Sequence, residues 1–133
     1  MFEQPILLVE DNCDDEFLAL RTLKKMGLDD VKVARDGREA IAILEGNDLS
    51  VAADSREVPR MLLLDLRLPK LDGLEVLRMV RENERTRKMQ VCILTSSEDP
   101  HDREVCSELG VLAFITKPLT VKAFSQVLRQ SGS

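Results

Sequence analysis

Four short, uninterrupted apolar runs constrain this chain more than any other feature: Ile6-Leu7-Leu8-Val9, Met61-Leu62-Leu63-Leu64, Val91-Cys92-Ile93-Leu94 and Leu112-Ala113-Phe114-Ile115. Each is too short to be a buried helix, and each stops at a polar residue or turn. A strand with no polar alternation must be covered on both faces, which is the condition of an inner strand in a parallel sheet. A fifth segment, Val31-Lys32-Val33-Ala34, carries a lysine at its centre and reads as an edge strand, where a charge discourages further pairing.

Amphipathic stretches fill the gaps. Phe17, Leu20, Leu23 and Met26 form one apolar stripe after Asp14-Asp15 and before Gly27. Asp36-Gly37 precedes Ala40, Ile41 and Leu44, and Asp72-Gly73 precedes Leu74, Leu77 and Val80. Pro100 and Gly110 bracket a fourth helix, and Val121, Phe124 and Leu128 mark a fifth. Strand and helix alternate five times, which predicts an α/β doubly wound (βα)5 sheet with right-handed crossovers, in one domain over residues 1–133. Residues 46–60 are long for a helix-to-strand connection and read as a surface insertion, and the mixed charges of residues 81–88 read as a solvated helix end and loop.

Composition excludes several classes. The net charge is −5 and no Lys/Arg run exceeds two residues, which argues against nucleic acid or an anionic membrane as partner. No apolar run approaches the ~18 residues of a membrane span, and the start lacks the basic residues of a signal peptide, so a cytoplasmic protein is expected. Cys13, Cys92 and Cys106 form no CxxC pair, so neither a disulfide framework nor a zinc site is supported. Cys92 lies in an apolar run and reads as core. His101, distant in sequence from any clustered ligand, reads as a surface residue.

The chemistry collects where the apolar runs end. The first is followed by Glu10-Asp11, the second by Asp65, the third by Thr95-Ser96 and the fourth by Thr116-Lys117-Pro118. In open parallel sheets ligands bind beyond the carboxyl ends of the strands. One edge of this sheet therefore receives three carboxylates, two hydroxyls and an ammonium group. The carboxylates would repel one another; Lys117 and a divalent cation together balance their three charges. Oxygen donors with positions left for water suit Mg²⁺, which bridges carboxylate to phosphate, and phosphoryl transfer asks a protein mainly for positioning and neutralisation.

These residues carry a resemblance. Leu8-Val9-Glu10-Asp11-Asn12, Leu64-Asp65-Leu66-Arg67-Leu68-Pro69 with Asp72-Gly73, Leu94-Thr95-Ser96 and Lys117-Pro118 resemble the motifs of response-regulator receiver domains of two-component signalling, as does Asp36-Gly37-Arg38-Glu39-Ala40 at the opening of the second helix. The resemblance implies a flavodoxin-like sheet of order 2-1-3-4-5. It makes Asp65 the acceptor of a phosphoryl group from a phosphohistidine of a histidine kinase or histidine phosphotransfer protein. Glu10, Asp11, Asp65 and the backbone carbonyl of Arg67 would hold Mg²⁺, and Lys117 would meet a phosphoryl oxygen. Thr95 is implied as the switch hydroxyl and Phe114 as the switch aromatic. Arg67, Ser96 and Ser97 would modulate the reaction, Arg67 by obstructing or by orienting the attacking water.

The expected output is the surface of the fourth helix, fifth strand and fifth helix, acting through a downstream protein target, a homodimer or onward transfer, with no output domain in the chain. Residues 46–60 and Leu94-Thr95-Ser96-Ser97 also resemble single-domain regulators paired with phytochrome-type kinases. Three other readings stand beside this one. A pseudo-receiver that binds partners without phosphorylation would usually lack an acidic residue, the threonine or the lysine. An aspartyl-nucleophile phosphohydrolase needs an acid where Arg67 stands. A nucleotide-binding domain needs a glycine-rich loop where Glu10-Asp11-Asn12-Cys13 stands. The expectation is a signalling switch rather than an enzyme with a separate substrate.

Overall fold

In a computed structural model, residues 5–45, 58–96 and 98–130 are described. Five strands alternate with five helices: β1 (Ile6–Val9), α1 (Cys13–Lys25), β2 (Val31–Ala34), α2 (Gly37–Leu44), β3 (Met61–Leu64), α3 (Gly73–Glu82), β4 (Gln90–Thr95), α4 (Pro100–Glu108), β5 (Ala113–Thr116) and α5 (Val121–Gln130). The strands form one parallel sheet in the order β2-β1-β3-β4-β5. This is the doubly wound arrangement that the alternation of runs predicts, in the flavodoxin-like order that the resemblance implies. β4 extends one residue beyond its apolar run at each end, and β5 lies one residue later than its run, because Leu112 already donates its N–H to Val91 and ladder pairing starts at Ala113.

The pleat sorts each apolar run between two cores. Leu7, Val9, Leu62, Leu64, Val91 and Ile93 face one side, packed with Ala40 and Leu44 of α2, Val76, Leu77 and Val80 of α3 and Cys106 of α4. Ile6, Leu8, Met61, Leu63, Cys92 and Leu94 face the other, packed with Ala19 and Leu23 of α1 and Phe124 and Val127 of α5. Continuous apolar sequence thus follows from helices on both faces. Lys32 lies on β2, at the sheet edge as expected. Cys92 is core, and burial pushes its thiol up to about 12.

Local signals start and stop the helices. The side chains of Asn12, Asp36 and Asp99 accept backbone N–H groups of Asp15, Glu39 and His101 at 3.0, 2.8 and 2.9 Å, each satisfying a donor of the first turn. Gly27 and Gly110 take φ of 77° and 72° just past α1 and α4, where a side chain would be strained. Asp72 makes no such cap bond; α3 begins instead where the Gly73 N–H meets the Leu66 carbonyl at 3.1 Å.

Residues 81–88 correct the sequence expectation. Arg81 is not a solvated end: its guanidinium donates to the carbonyls of Leu109, Arg87, Met89 and Gly110 at 2.7, 3.0, 2.7 and 3.1 Å. It thereby satisfies the carbonyl end of α4 from α3. Thr86, 2 % exposed, donates its hydroxyl to the Val80 carbonyl at 2.8 Å. The remaining side chains of this stretch include the exposed ones expected of a loop. Of the insertion at 46–60, residues 46–57 lie outside the described residues.

Candidate functional site

The parallel register brings the strand ends to one level. β1 and β3 align Val9 with Leu64, so the residues that follow, Glu10 and Asp65, emerge side by side. Backbone bonds fix both: the Glu10 N–H donates to the Ala34 carbonyl at 2.9 Å, and the Asp65 N–H to the Val9 carbonyl at 3.1 Å. Thr95 closes β4 and is buried, and its carbonyl accepts the Lys117 N–H at 2.9 Å. The Lys117–Pro118 bond is cis.

Lys117 is the centre of the site. Its Nζ lies 2.6 Å from Glu10 Oε1, 2.7 Å from Asp65 Oδ2 and 2.8 Å from Asp15 Oδ2. An ammonium group has three donors, and three carboxylates take them. Glu10 is 1 % exposed and Asp65 is 5 % exposed. Burial pushes the Glu10 carboxyl up to about 7, against the bonds from Lys117 and the Asn12 N–H, which lower it. Burial by itself would lower the Lys117 pKa, but the bonds to Asp15, Asp65 and Glu10 outweigh it and raise it.

Carboxylate oxygens of Glu10, Asp11 and Asp65 lie within 4.8 Å of one another, with Asp11 exposed at the rim. This all-oxygen set, open on one side, fits a hard divalent cation that retains water. The Asp65 carboxylate is further held by the Arg67 N–H, 3.0 Å from Oδ1. Gly73 lets α3 pack here: a Cβ at this position would run into the Asp65 carbonyl oxygen and come within 2.5 Å of the Leu66 Cα.

The other expected residues fall at different distances from this centre. The Arg67 guanidinium, 61 % exposed, turns to α4 and meets Asp102 Oδ2 at 2.9 Å. Asp102 is 6 % exposed. Phe114, half-buried on β5, packs on the α2–α3–α4 core, and Arg103 of α4 stands over its ring at 5.0 Å from the centroid. Ser96 is exposed, and Ser97 lies outside the described residues. His101 is exposed at the start of α4. Asp15 is the site residue that the sequence reading missed. It sits in the acidic run Asp14-Asp15-Glu16, where first-turn acids are ordinary, and the available signal was its place in the helix turn that opens directly after Glu10-Asp11-Asn12.

The chain belongs to the response regulator receiver domain family, which it matches over residues 6–129. Response regulator Rcp1 of Synechocystis sp. is 36% identical over 118 residues, 88% of this chain and 78% of Rcp1. The solved Mn²⁺-bound form of Rcp1 superposes with a TM-score of 0.77 at 33% identity, covering 97% of this chain and 90% of that one. The bacteriophytochrome response regulator AtBRR gives a TM-score of 0.82 at 42% identity, covering 97% of this chain and 92% of its own. The phosphorylated cyanobacterial phytochrome response regulator RcpA gives 0.77 at 31%, covering 97% and 89%. The chain is thus a receiver domain of the two-component type, similar to regulators of phytochrome systems. Among the described residues no helix is long and apolar enough to cross a membrane.

Proposed function

We propose that Asp65 accepts a phosphoryl group from a phosphohistidine of a histidine kinase or phosphotransfer protein, with Mg²⁺ bound beside it, and that the chain signals through protein contact. The observation that carries this reading is the convergence on one strand edge of Glu10, Asp11 and Asp65 within 4.8 Å and of Lys117 Nζ within 2.7 Å of Asp65. An Asp65 carboxylate oxygen attacks phosphorus, the P–N bond breaks, and the imidazole leaves with the electron pair, giving an acyl phosphate. Water later cleaves the acyl phosphate and restores Asp65.

Glu10, Asp11, Asp65 and the backbone carbonyl of Arg67 are the groups that would hold the cation; bound there, it supplies positive charge against the phosphoryl oxygens. Lys117 is placed to trade a carboxylate for a phosphoryl oxygen, and Thr95, beside it on β4, is the hydroxyl that would follow. Solved relatives with Mn²⁺ and in a phosphorylated form support both halves of the reading. Phe114 and α4 form the readout. With phenylalanine in place of tyrosine, the message is carried by packing, here including Arg103 over the ring. A downstream target or a second copy of the chain would meet this α4–β5–α5 face.

The test is direct. Incubation with a small-molecule phosphodonor and Mg²⁺ adds one phosphoryl group to the wild type and none to Asp65→Asn, read by intact mass. Equal gain in both, or none in the wild type, overturns the assignment. Release of many phosphates per chain would favour a hydrolase.

A further inference from the structure

We infer that Asp15 is a positioning residue for Lys117, keeping the ammonium group at the mouth of the site when its other two partners are drawn away; the inference rests on the phosphoacceptor reading of Asp65. The three carboxylates on Lys117 are not equivalent. Glu10 and Asp65 belong to the cluster whose oxygens lie within 4.8 Å of one another; Asp15 stands outside it, on the first turn of α1, 2.8 Å from Nζ. Charge that Glu10 and Asp65 share with a cation is charge no longer directed at Lys117. A phosphoryl group on Asp65 converts that carboxylate to an acyl phosphate and moves the negative charge outward to the phosphoryl oxygens. The acceptor that competes with neither event is Asp15.

The setting favours a durable bond. Asp15 and Lys117 border a narrow cleft whose other walls are Leu18, Ala19, Leu94, Pro118 and Leu119, so apolar atoms shield the pair on one side. The Asp15 backbone is itself fixed, its N–H held by the Asn12 side chain at 3.0 Å. The carboxylate therefore sits on a capped helix end, and the lysine reaches it at the end of a four-carbon stem. Without the anchor, that stem would sample several rotamers and the ammonium would meet the incoming phosphoryl oxygen in a smaller share of encounters.

This separates Asp15 from a metal ligand and from a merely structural ion pair. The full chain is phosphorylated with acetyl phosphate at saturating Mg²⁺, and the initial rate is followed by intact mass for wild type, Asp15→Ala and Asp15→Asn. The same Asp15→Ala change is made in a Lys117→Ala background, and Mg²⁺ affinity is measured by calorimetry for each protein. Asp15→Ala should slow phosphorylation by about tenfold, the loss expected for one charge-assisted hydrogen bond. Asp15→Asn, which keeps an oxygen acceptor, should recover part of that loss. In the Lys117→Ala background the same change should alter the residual rate by less than about twofold, since its effect passes through the lysine. Mg²⁺ affinity should be nearly unchanged.

Equal loss in both backgrounds, an Asp15→Ala rate at or above wild type, or loss of Mg²⁺ affinity in step with rate would each overturn the role. If the wild type takes up no phosphoryl group, or Asp65→Asn takes up as much, the phosphoacceptor reading fails and this inference with it. A phosphorylated wild type with an unaffected Asp15→Ala variant removes the inference alone.

Discussion

Replacing Lys117 with methionine keeps most of the stem and removes the charge, which exposes how the site is balanced. Glu10, 1 % exposed, and Asp65, 5 % exposed, then face each other without the ammonium group that now lies 2.6 and 2.7 Å away. Removing one partner of a buried pair typically costs about 3–5 kcal/mol. Here the penalty has an escape, because Glu10 can take up a proton. Its carboxyl is already pushed up to about 7 with the lysine present, and losing the lysine raises it further.

The sign then follows from linkage. A carboxyl whose folded pKa lies above its unfolded value contributes stability fully below the unfolded pKa and loses it as pH rises through the folded one. Below about pH 7 Glu10 is protonated in both proteins and their stability curves run parallel. Above it the wild type levels off while Lys117→Met keeps falling, by up to about 1.4 kcal/mol per pH unit, or about 2 kcal/mol more by pH 8.5. The chain has no tryptophan or tyrosine, so urea unfolding is followed by far-ultraviolet circular dichroism. Mg²⁺ should stabilise the variant more than the wild type, since the cation then meets the carboxylates without a competing ammonium. Parallel curves from pH 6 to 9, or weaker rescue of the variant by Mg²⁺, would refute the reasoning.

Other predictions concern single contacts. Mg²⁺ affinity of the wild type, measured by calorimetry, should fall as pH drops through about 7, because a proton on Glu10 competes with the cation; a flat profile between pH 6 and 8 would remove Glu10 from the ligand set. Gly73→Ala forces a methyl against the Asp65 carbonyl oxygen and the Leu66 backbone, so it should cost about 1–3 kcal/mol in urea unfolding and also slow phosphorylation; a variant within about 0.5 kcal/mol of wild type would show the contact to be soft. Arg67→Ala leaves the largely buried Asp102 carboxylate without that guanidinium, and its cost should stay near about 1 kcal/mol because the arginine is 61 % exposed. Amide exchange should quicken in α4 and not in β1 or β2; uniform change would deny Arg67 a specific hold on α4.

Much of the fold was legible because the physics was local. Apolar runs buried on both faces can be read without knowing their neighbours, and so can Pro100 and Gly110 as the brackets of a helix. The strand-end chemistry was legible too, since β1 and β3 each deliver an acid directly after the last paired residue. What sequence could not disclose was the aim of long side chains. Arg81 reads as a solvated charge until the carbonyls of Leu109 and Gly110, from another helix, are folded against it. Arg67 reads as a modulator above the acceptor until Asp102, 35 residues away in sequence, draws it to α4. Asp15 is hidden among equivalent acids until helix phase selects it for Lys117.

Phosphoacceptor chemistry at Asp65 comes down to one bond, between its carboxylate oxygen and phosphorus, and that bond can be trapped chemically. After phosphorylation with a small phosphodonor and Mg²⁺, borohydride reduces an acyl phosphate to the alcohol, and peptide mapping locates the converted residue. Homoserine should appear at position 65, and should be absent when phosphodonor or Mg²⁺ is omitted. Conversion at Asp11, at Asp15 or at another carboxylate, with position 65 unchanged, would contradict Asp65 as the acceptor.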